Sequence, residues 1–166
     1  MKRFLLSVLV LFPAVKFYAA VENTDSIKSE LEKIVLLKAD AKNSIDKYKK
    51  SVLKGDVKSM ELLGKECMTG TNVKSDYTIG MNLLETAANE GLVEAQYDMG
   101  YYYFLFWAQK PDNTQLFTNA NKWLRRSMRS GDMKSCNLLG QLYYEYGKHT
   151  NNPDFLKQAQ MLLETV

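Results

Sequence analysis

Two serines in this chain stand three residues before a lysine, in Ser44-Ile-Asp-Lys47 and Ser51-Val-Leu-Lys54. On a helix that spacing sets the amine one turn from the hydroxyl, where it could take the proton of a nucleophile in acyl transfer on a β-lactam or cell-wall amide. That chemistry also needs a Lys-Thr-Gly strand, and the nearest text is Met68-Thr69-Gly70, without the lysine. In a segment this rich in serine and lysine, chance matches are expected. One histidine, His149, stands before Asn151-Asn152-Pro153 and reads as a solvated loop side chain, not as the base of a triad. His149 and two separated cysteines, Cys67 and Cys136, cannot make an ordinary zinc site, and neither HExxH nor CxxC occurs. No glycine loop has the spacing of a phosphate or dinucleotide cradle. The reading is therefore non-enzymatic, with no catalytic residue, no metal site and no cofactor.

The elements that must carry any other function announce themselves by repetition. Three segments align: Gly55-Asp-Val-Lys-Ser-Met-Glu-Leu-Leu-Gly64, Gly91-Leu-Val-Glu-Ala-Gln-Tyr-Asp-Met-Gly100 and Gly131-Asp-Met-Lys-Ser-Cys-Asn-Leu-Leu-Gly140. The opening glycines are 36 and 40 residues apart, and the extra four residues are expected as a loop insertion in the polar stretch 109–118. Leu83-Leu84-Glu85-Thr86 recurs as Leu162-Leu163-Glu164-Thr165, with Trp123-Leu124 in the equivalent place of the middle unit. A period of this length marks stacked supersecondary units.

Each unit reads as two helices. In the first, Ser59, Ala95 and Ser135 lie four residues before Leu63, Met99 and Leu139, which puts each pair on one face. Turns are expected near Gly70 and Gly147, N-caps at Asp76 and Asp154, and helix ends at Gly91 and Gly131. Upstream, Ile27, Leu31, Ile34, Val35 and Leu37 recur at helical spacing. Residues 21–54 therefore read as a degenerate helical pair capping three repeats at 55–90, 91–130 and 131–166, the last truncated.

The first twenty residues read differently. Lys2 and Arg3 precede the apolar run Phe4–Val15, and Ala19-Ala20 follow, which is the pattern of a secretory signal peptide over residues 1–20. Twelve helical residues span about 18 Å, too short for a bilayer core of about 30 Å. The expected location is periplasmic or secreted, with no membrane span after cleavage. Lys2, Arg3 and Lys16 account for the whole net charge of +3, leaving 19 basic and 19 acidic residues in 21–166. Nucleic-acid binding, which rests on excess positive charge, loses its support.

With Ala95, Met99-Gly100 and Tyr103, then Ser135, Leu139-Gly140 and Tyr143, then Trp123 and the Ala87-Ala88 pair before Gly91, residues 44–166 resemble Sel1-like repeats, relatives of the tetratricopeptide repeat. Departures are Cys67 at the aromatic position, Leu83 and Leu162 for the tryptophan, and Ser127-Met128 for the alanines. The resemblance implies an all-α protein, an α-solenoid of antiparallel helix pairs, acting as an adaptor that binds another protein. Small exported members include immunity proteins that neutralise secreted toxins such as envelope-targeting lipases. A branch with paired cysteines in each repeat is linked to β-lactam binding or hydrolysis. Cys67 and Cys136 sit two units apart at non-equivalent positions, and a disulfide needs Cα atoms within about 7 Å, so this chain departs from that branch.

The middle repeat then supplies a binding face. In Tyr97-Asp-Met-Gly-Tyr-Tyr-Tyr-Phe-Leu-Phe-Trp107, the helical period gathers Ala95, Met99, Tyr102, Tyr103 and Phe106 on the core side. Tyr97, Tyr101 and Phe104 fall about 180° away, where the neighbouring units carry Glu61, Lys65 and Met68 or Asn137, Gln141 and Tyr144. The expected partner-binding residues are Tyr97, Asp98, Tyr101, Phe104, Trp107, Gln141 and Tyr144. Residues 56–98 sum to −5, an acidic stretch able to steer a basic partner. Two other readings follow from the same residues: weak hydrolysis of β-lactams or cell-wall amides, and stacking of the rings on cell-wall glycans.

Overall fold

Alternating short helices and tight, capped turns build the computed structural model of this protein, which describes residues 24–164. Its two compact units divide after Ala87. The expected signal peptide, residues 1–20, lies outside the described residues, as does Thr165.

The first unit holds α1 (Thr24–Glu32), a 3-10 turn (Ala39–Ala41), α2 (Lys42–Val52), α3 (Val57–Thr69) and most of α4 (Tyr77–Asn89). Helix α1 buries Ile27 and Leu31, then stops. The apolar run 34–37 is extended, not helical as its spacing suggested. Leu36 forms an antiparallel bridge with Val73, the Leu37 amide donates to the Asn72 carbonyl at 2.8 Å, and the Lys74 amide to Val35 at 2.7 Å. Val73 is wholly buried there, whereas Val35 and Leu37 point outward. Four consecutive apolar residues satisfy either period, and pairing with 72–74 decided it. Asp56 caps α3 through the Ser59 amide, and Gly70 ends it at φ 67°, a left-handed conformation that favours glycine. Asp76 caps α4 as expected, accepting from the Thr78 and Ile79 amides at 3.0 Å.

The second unit holds the end of α4, then α5 (Val93–Gln109), α6 (Thr114–Arg129), α7 (Met133–Thr150) and α8 (Pro153–Leu163). Within it α5 packs on α6, α6 on α7 and α7 on α8, giving antiparallel pairs. The four extra residues of the middle repeat lengthen its helices and not a loop: α5 has 17 residues against 13 in α3, and only residues 110–113 separate α5 from α6. Glycine is not the turn residue of the last repeat either. Helix α7 runs through Gly147 to Thr150, and Asn151 takes the left-handed conformation at φ 52°. Gly147 is buried against Leu156, whose Cγ would lie 3.0 Å from an added Cβ. The cap of α8 is Asn152, which accepts from the Asp154 amide at 3.0 Å; Asp154 itself sits in the first turn after Pro153.

The glycines that close the three aligned segments share a packing cause. A Cβ on Gly64 would lie 2.9 Å from Leu84, on Gly100 2.6 Å from Leu124, and on Gly140 2.8 Å from Leu163. Each marks where the second helix of a pair crosses the first, at a distance no side chain permits.

Candidate functional site

The serine and lysine pairs are not organised for nucleophilic catalysis. Ser44 and Lys47 are exposed on α2, and among the described residues no side-chain hydrogen bond joins Ser44 to Lys47 or Ser51 to Lys54; the Lys54 amide donates only to the Ser51 carbonyl, at 3.0 Å. Instead Lys42 pairs with Asp46, and Lys49 donates to the Ile34 carbonyl at 3.3 Å. Cys67 and Cys136 are both buried and are not joined in a disulfide. Burial pushes the Cys67 thiol up to about 12, and the negative charge of Asp76 acts in the same direction. A thiol so held is a core side chain and not a nucleophile. His149 is exposed but belongs to the last turn of α7 and not to a loop. Its Nε2 lies 3.0 Å from Asp112 Oδ1, in the α5–α6 connection, and its ring stands edge-on to Trp107 at 6.5 Å. Among the described residues no group of three or more His, Cys, Asp or Glu is placed to hold a metal ion, and no helix is long and apolar enough to cross a membrane.

The face drawn around the middle repeat contracts in three dimensions. Ala95, Met99 and Tyr103 are core, as the helical period requires, while Tyr102 and Phe106 are half-buried. Trp107 is 3% exposed and belongs to that core too. Its Nε1 donates to the Pro111 carbonyl at 2.9 Å, and the rings of Phe104, Phe117 and Tyr146 surround it at 6.0–6.3 Å. Phe117, Tyr146, Tyr143 and Phe155 extend the same ring cluster across α6, α7 and α8. Asp98 is buried and unavailable as a polar rim. Tyr97 and Phe104 are half-buried, Tyr97 stacking on Tyr101 with centroids 6.3 Å apart. What remains open is Tyr101 at 36%, Gln141, and Tyr144 at 46%, the last with Lys148 Nζ 5.1 Å above its ring.

Two residues join that strip or leave it unexpectedly. Leu105, one turn beyond Tyr101, is equally exposed and extends the apolar face; the i, i+4 spacing was the signal for it. Glu61, the acidic counterpart of Tyr97 in the first repeat, is 1% exposed. Burial raises its pKa, but Lys58 Nζ at 2.9 Å and Lys65 Nζ at 3.1 Å prevail and hold the carboxyl below its usual value. The acidic stretch 56–98 thus has two of its eight carboxylates, Glu61 and Asp98, withdrawn from solvent, which weakens its reach toward a basic partner.

No family model matches this sequence, and no curated protein is similar to it at a significant level. Among solved structures, the chain is similar to a Sel1 repeat protein from Oxalobacter formigenes, with a TM-score of 0.58 and 23% identity over 92% of this chain. It spans 62% of that protein's length. The eight helices of the described residues, their glycine-spaced pairing and this likeness together establish a Sel1-like repeat fold, all-α, an α-solenoid of antiparallel helix pairs.

Proposed function

We propose that this chain is an exported module that binds another protein through the first helices of its repeats. The observation that carries the proposal is a strip at matching register on α5 and α7, two first helices that touch each other, where Tyr101, Leu105, Gln141 and Tyr144 stand open to solvent. Tyrosine is a preferred interface anchor, because it offers a large rigid ring and a polar tip at little entropic cost. Its hydroxyl lets the strip stay wetted until a partner covers it. Work in the periplasm or outside the cell is supported by the basic, apolar and small-residue order of residues 1–20.

The narrower reading is an immunity protein that occludes a secreted envelope-targeting toxin such as a lipase. A helical repeat face suits occlusion, in which it covers the toxin's working surface. The test is capture from an envelope extract by the wild-type chain and by a Tyr101→Ala, Tyr144→Ala variant, both shown folded by circular dichroism. Loss of an anchor ring should weaken capture by about 2 kcal/mol, roughly thirtyfold in affinity. Equal recovery of every partner by both proteins would remove the strip from the proposal.

A further inference from the structure

Helix α6 carries Lys122, Arg125, Arg126 and Arg129 and no acidic residue. At about 100° per residue, Lys122, Arg125 and Arg129 fall along one stripe. Among the described residues none of the four meets a carboxylate. Arg126 reaches the Asn89 carbonyl at 3.4 Å, Lys122 lies over the Trp123 ring, and Arg125 donates from Nη1 to Tyr143 Oη at 3.2 Å. Four cations left without counter-ions on one amphipathic helix are a feature the aromatic strip does not use.

Beside Arg125 the surface opens into a cavity of about 340 Å³ between α6, α7 and α8. Leu139 and Tyr143 of α7, both almost wholly buried, form its floor. Met128 of α6 and Met161 and Leu162 of α8 form the walls, and Arg125 stands at the rim. Met161 is 60% exposed, so the wall on that side faces water with its apolar flank. Beside Arg125, the polar groups of the lining are the Tyr143 hydroxyl and the neutral Gln158, and among the described residues no acid lines the cavity. The Tyr143 hydroxyl, which donates to Asn121 Oδ1 at 2.7 Å, holds the guanidinium at the edge of the apolar floor. Its remaining N–H groups are left for an incoming carboxylate, which a planar guanidinium takes in bidentate fashion.

We propose that this cavity docks a protein segment in which a bulky apolar side chain is flanked by acidic residues. The apolar side chain enters between Met128, Leu139 and Met161, and the flanking carboxylates lie along Arg125 and its neighbours Lys122 and Arg129. Two methionines in the wall suit an anchor of variable shape, since an unbranched thioether repacks readily. The volume lies at the low end of the range for ligand pockets, room for one anchor and not for an extended body. A membrane surface fits less well: lipid-binding patches gather about four to eight exposed cations, whereas this stripe has three, and on the adjoining helices the exposed Lys134, Lys148 and Lys157 are interspersed with the exposed Glu145 and Asp154, with Glu164 just beyond α8. On α7 the residues of the aromatic strip, Gln141 and Tyr144, lie on the side away from Leu139 and Tyr143. This surface therefore stands or falls apart from the one proposed above.

The test is fluorescence anisotropy with a labelled peptide, one leucine flanked on each side by two acidic residues. Its companions are the same peptide with serine for leucine, a lysine-flanked version, and vesicles of phosphatidylglycerol. The acidic leucine peptide should bind and weaken as salt rises. The serine and lysine versions should each bind at least about tenfold more weakly. Arg125→Glu and Met161→Asp should each reduce affinity by about tenfold or more, and Tyr101→Ala should leave it unchanged. Met161 is exposed, so that variant decides the matter even if Arg125→Glu disturbs Tyr143. Equal binding of the leucine and serine peptides, indifference to Met161→Asp, or binding of vesicles without binding of the acidic peptide would each overturn the proposal.

Discussion

Gly100→Ala is the substitution on which the helix-pair geometry can be judged. Alanine in a helix interior gains about 1 kcal/mol over glycine from backbone entropy alone, so an open site would be stabilised. Here the new Cβ would lie 2.6 Å from both Cγ and Cδ2 of Leu124 and 3.1 Å from its backbone nitrogen. Carbon atoms rest at about 3.5–4.0 Å, so the shortfall is about 1 Å, enough to forfeit a quarter to a half of each dispersion contact if the helices part. Leu124 is wholly buried and cannot swing aside, and its backbone cannot yield without moving α6. Overpacking of this kind costs about 1–3 kcal/mol, and contact with backbone puts the site at the upper end. After subtracting the helix gain, the net loss is about 1–2 kcal/mol. For a chain of this size that lowers Tm by about 3–6 °C, read by circular dichroism, with the urea midpoint falling at unchanged slope. Placed on Leu124→Ala, which removes Cγ and Cδ2 but leaves the backbone nitrogen at 3.1 Å, the same substitution should cost less than in the wild type, by about 1 kcal/mol or more. A Gly100→Ala protein as stable as wild type would show that α5 and α6 do not cross this closely, and would refute the packing account of all three aligned glycines.

Three further outcomes follow from single sites. Asn152→Ala should cost about 1 kcal/mol by uncapping α8, whereas Asp154→Ala, which loses only the attraction of a charge to the helix start, should cost about 0.3–1 kcal/mol; thermal melts of the two variants rank them. Cys67 should resist alkylation at mildly alkaline pH in the native protein and react on unfolding, as mass spectrometry would show; ready modification under native conditions would contradict its burial and raised pKa. Glu61, held below its ordinary 4.5 by Lys58 and Lys65, contributes stability that is present above pH 4.5 and lost as pH falls through its folded value. Glu61→Gln should therefore flatten the decline of the urea midpoint on acidification below that pH, and an unchanged acid profile would dismiss the buried ion pairs as its cause.

How far such features can be read from letters depends on whether one helix or several decide them. The glycine register was legible because two physical causes recur at fixed places: a left-handed turn at Gly91 and Gly131, and close crossing at Gly64, Gly100 and Gly140. The two causes look alike in sequence, which is why Gly147 read as a turn although it is a crossing glycine against Leu156, while Asn151 supplies the turn. Helical spacing sorted most of α5 correctly. It also held the information that Trp107 is core, since that residue follows Tyr103 by four, and the density of rings nearby obscured it. The burial of Asp98 was less accessible, because it lies on the flank of the core stripe where only a neighbouring helix can cover it. The cavity beside Arg125 was further out of reach. The absence of acids from α6 is plain in the sequence, and the apolar Met161-Leu162-Leu163 run invites burial. Yet Met161 is left 60% exposed, and that depends on how the other described helices pack against α8. A periodicity within α8 records which side of it is apolar and carries nothing about which other helices cover it. Partner surfaces of this kind emerge only when apolar stripes are weighed against the helices actually present to cover them.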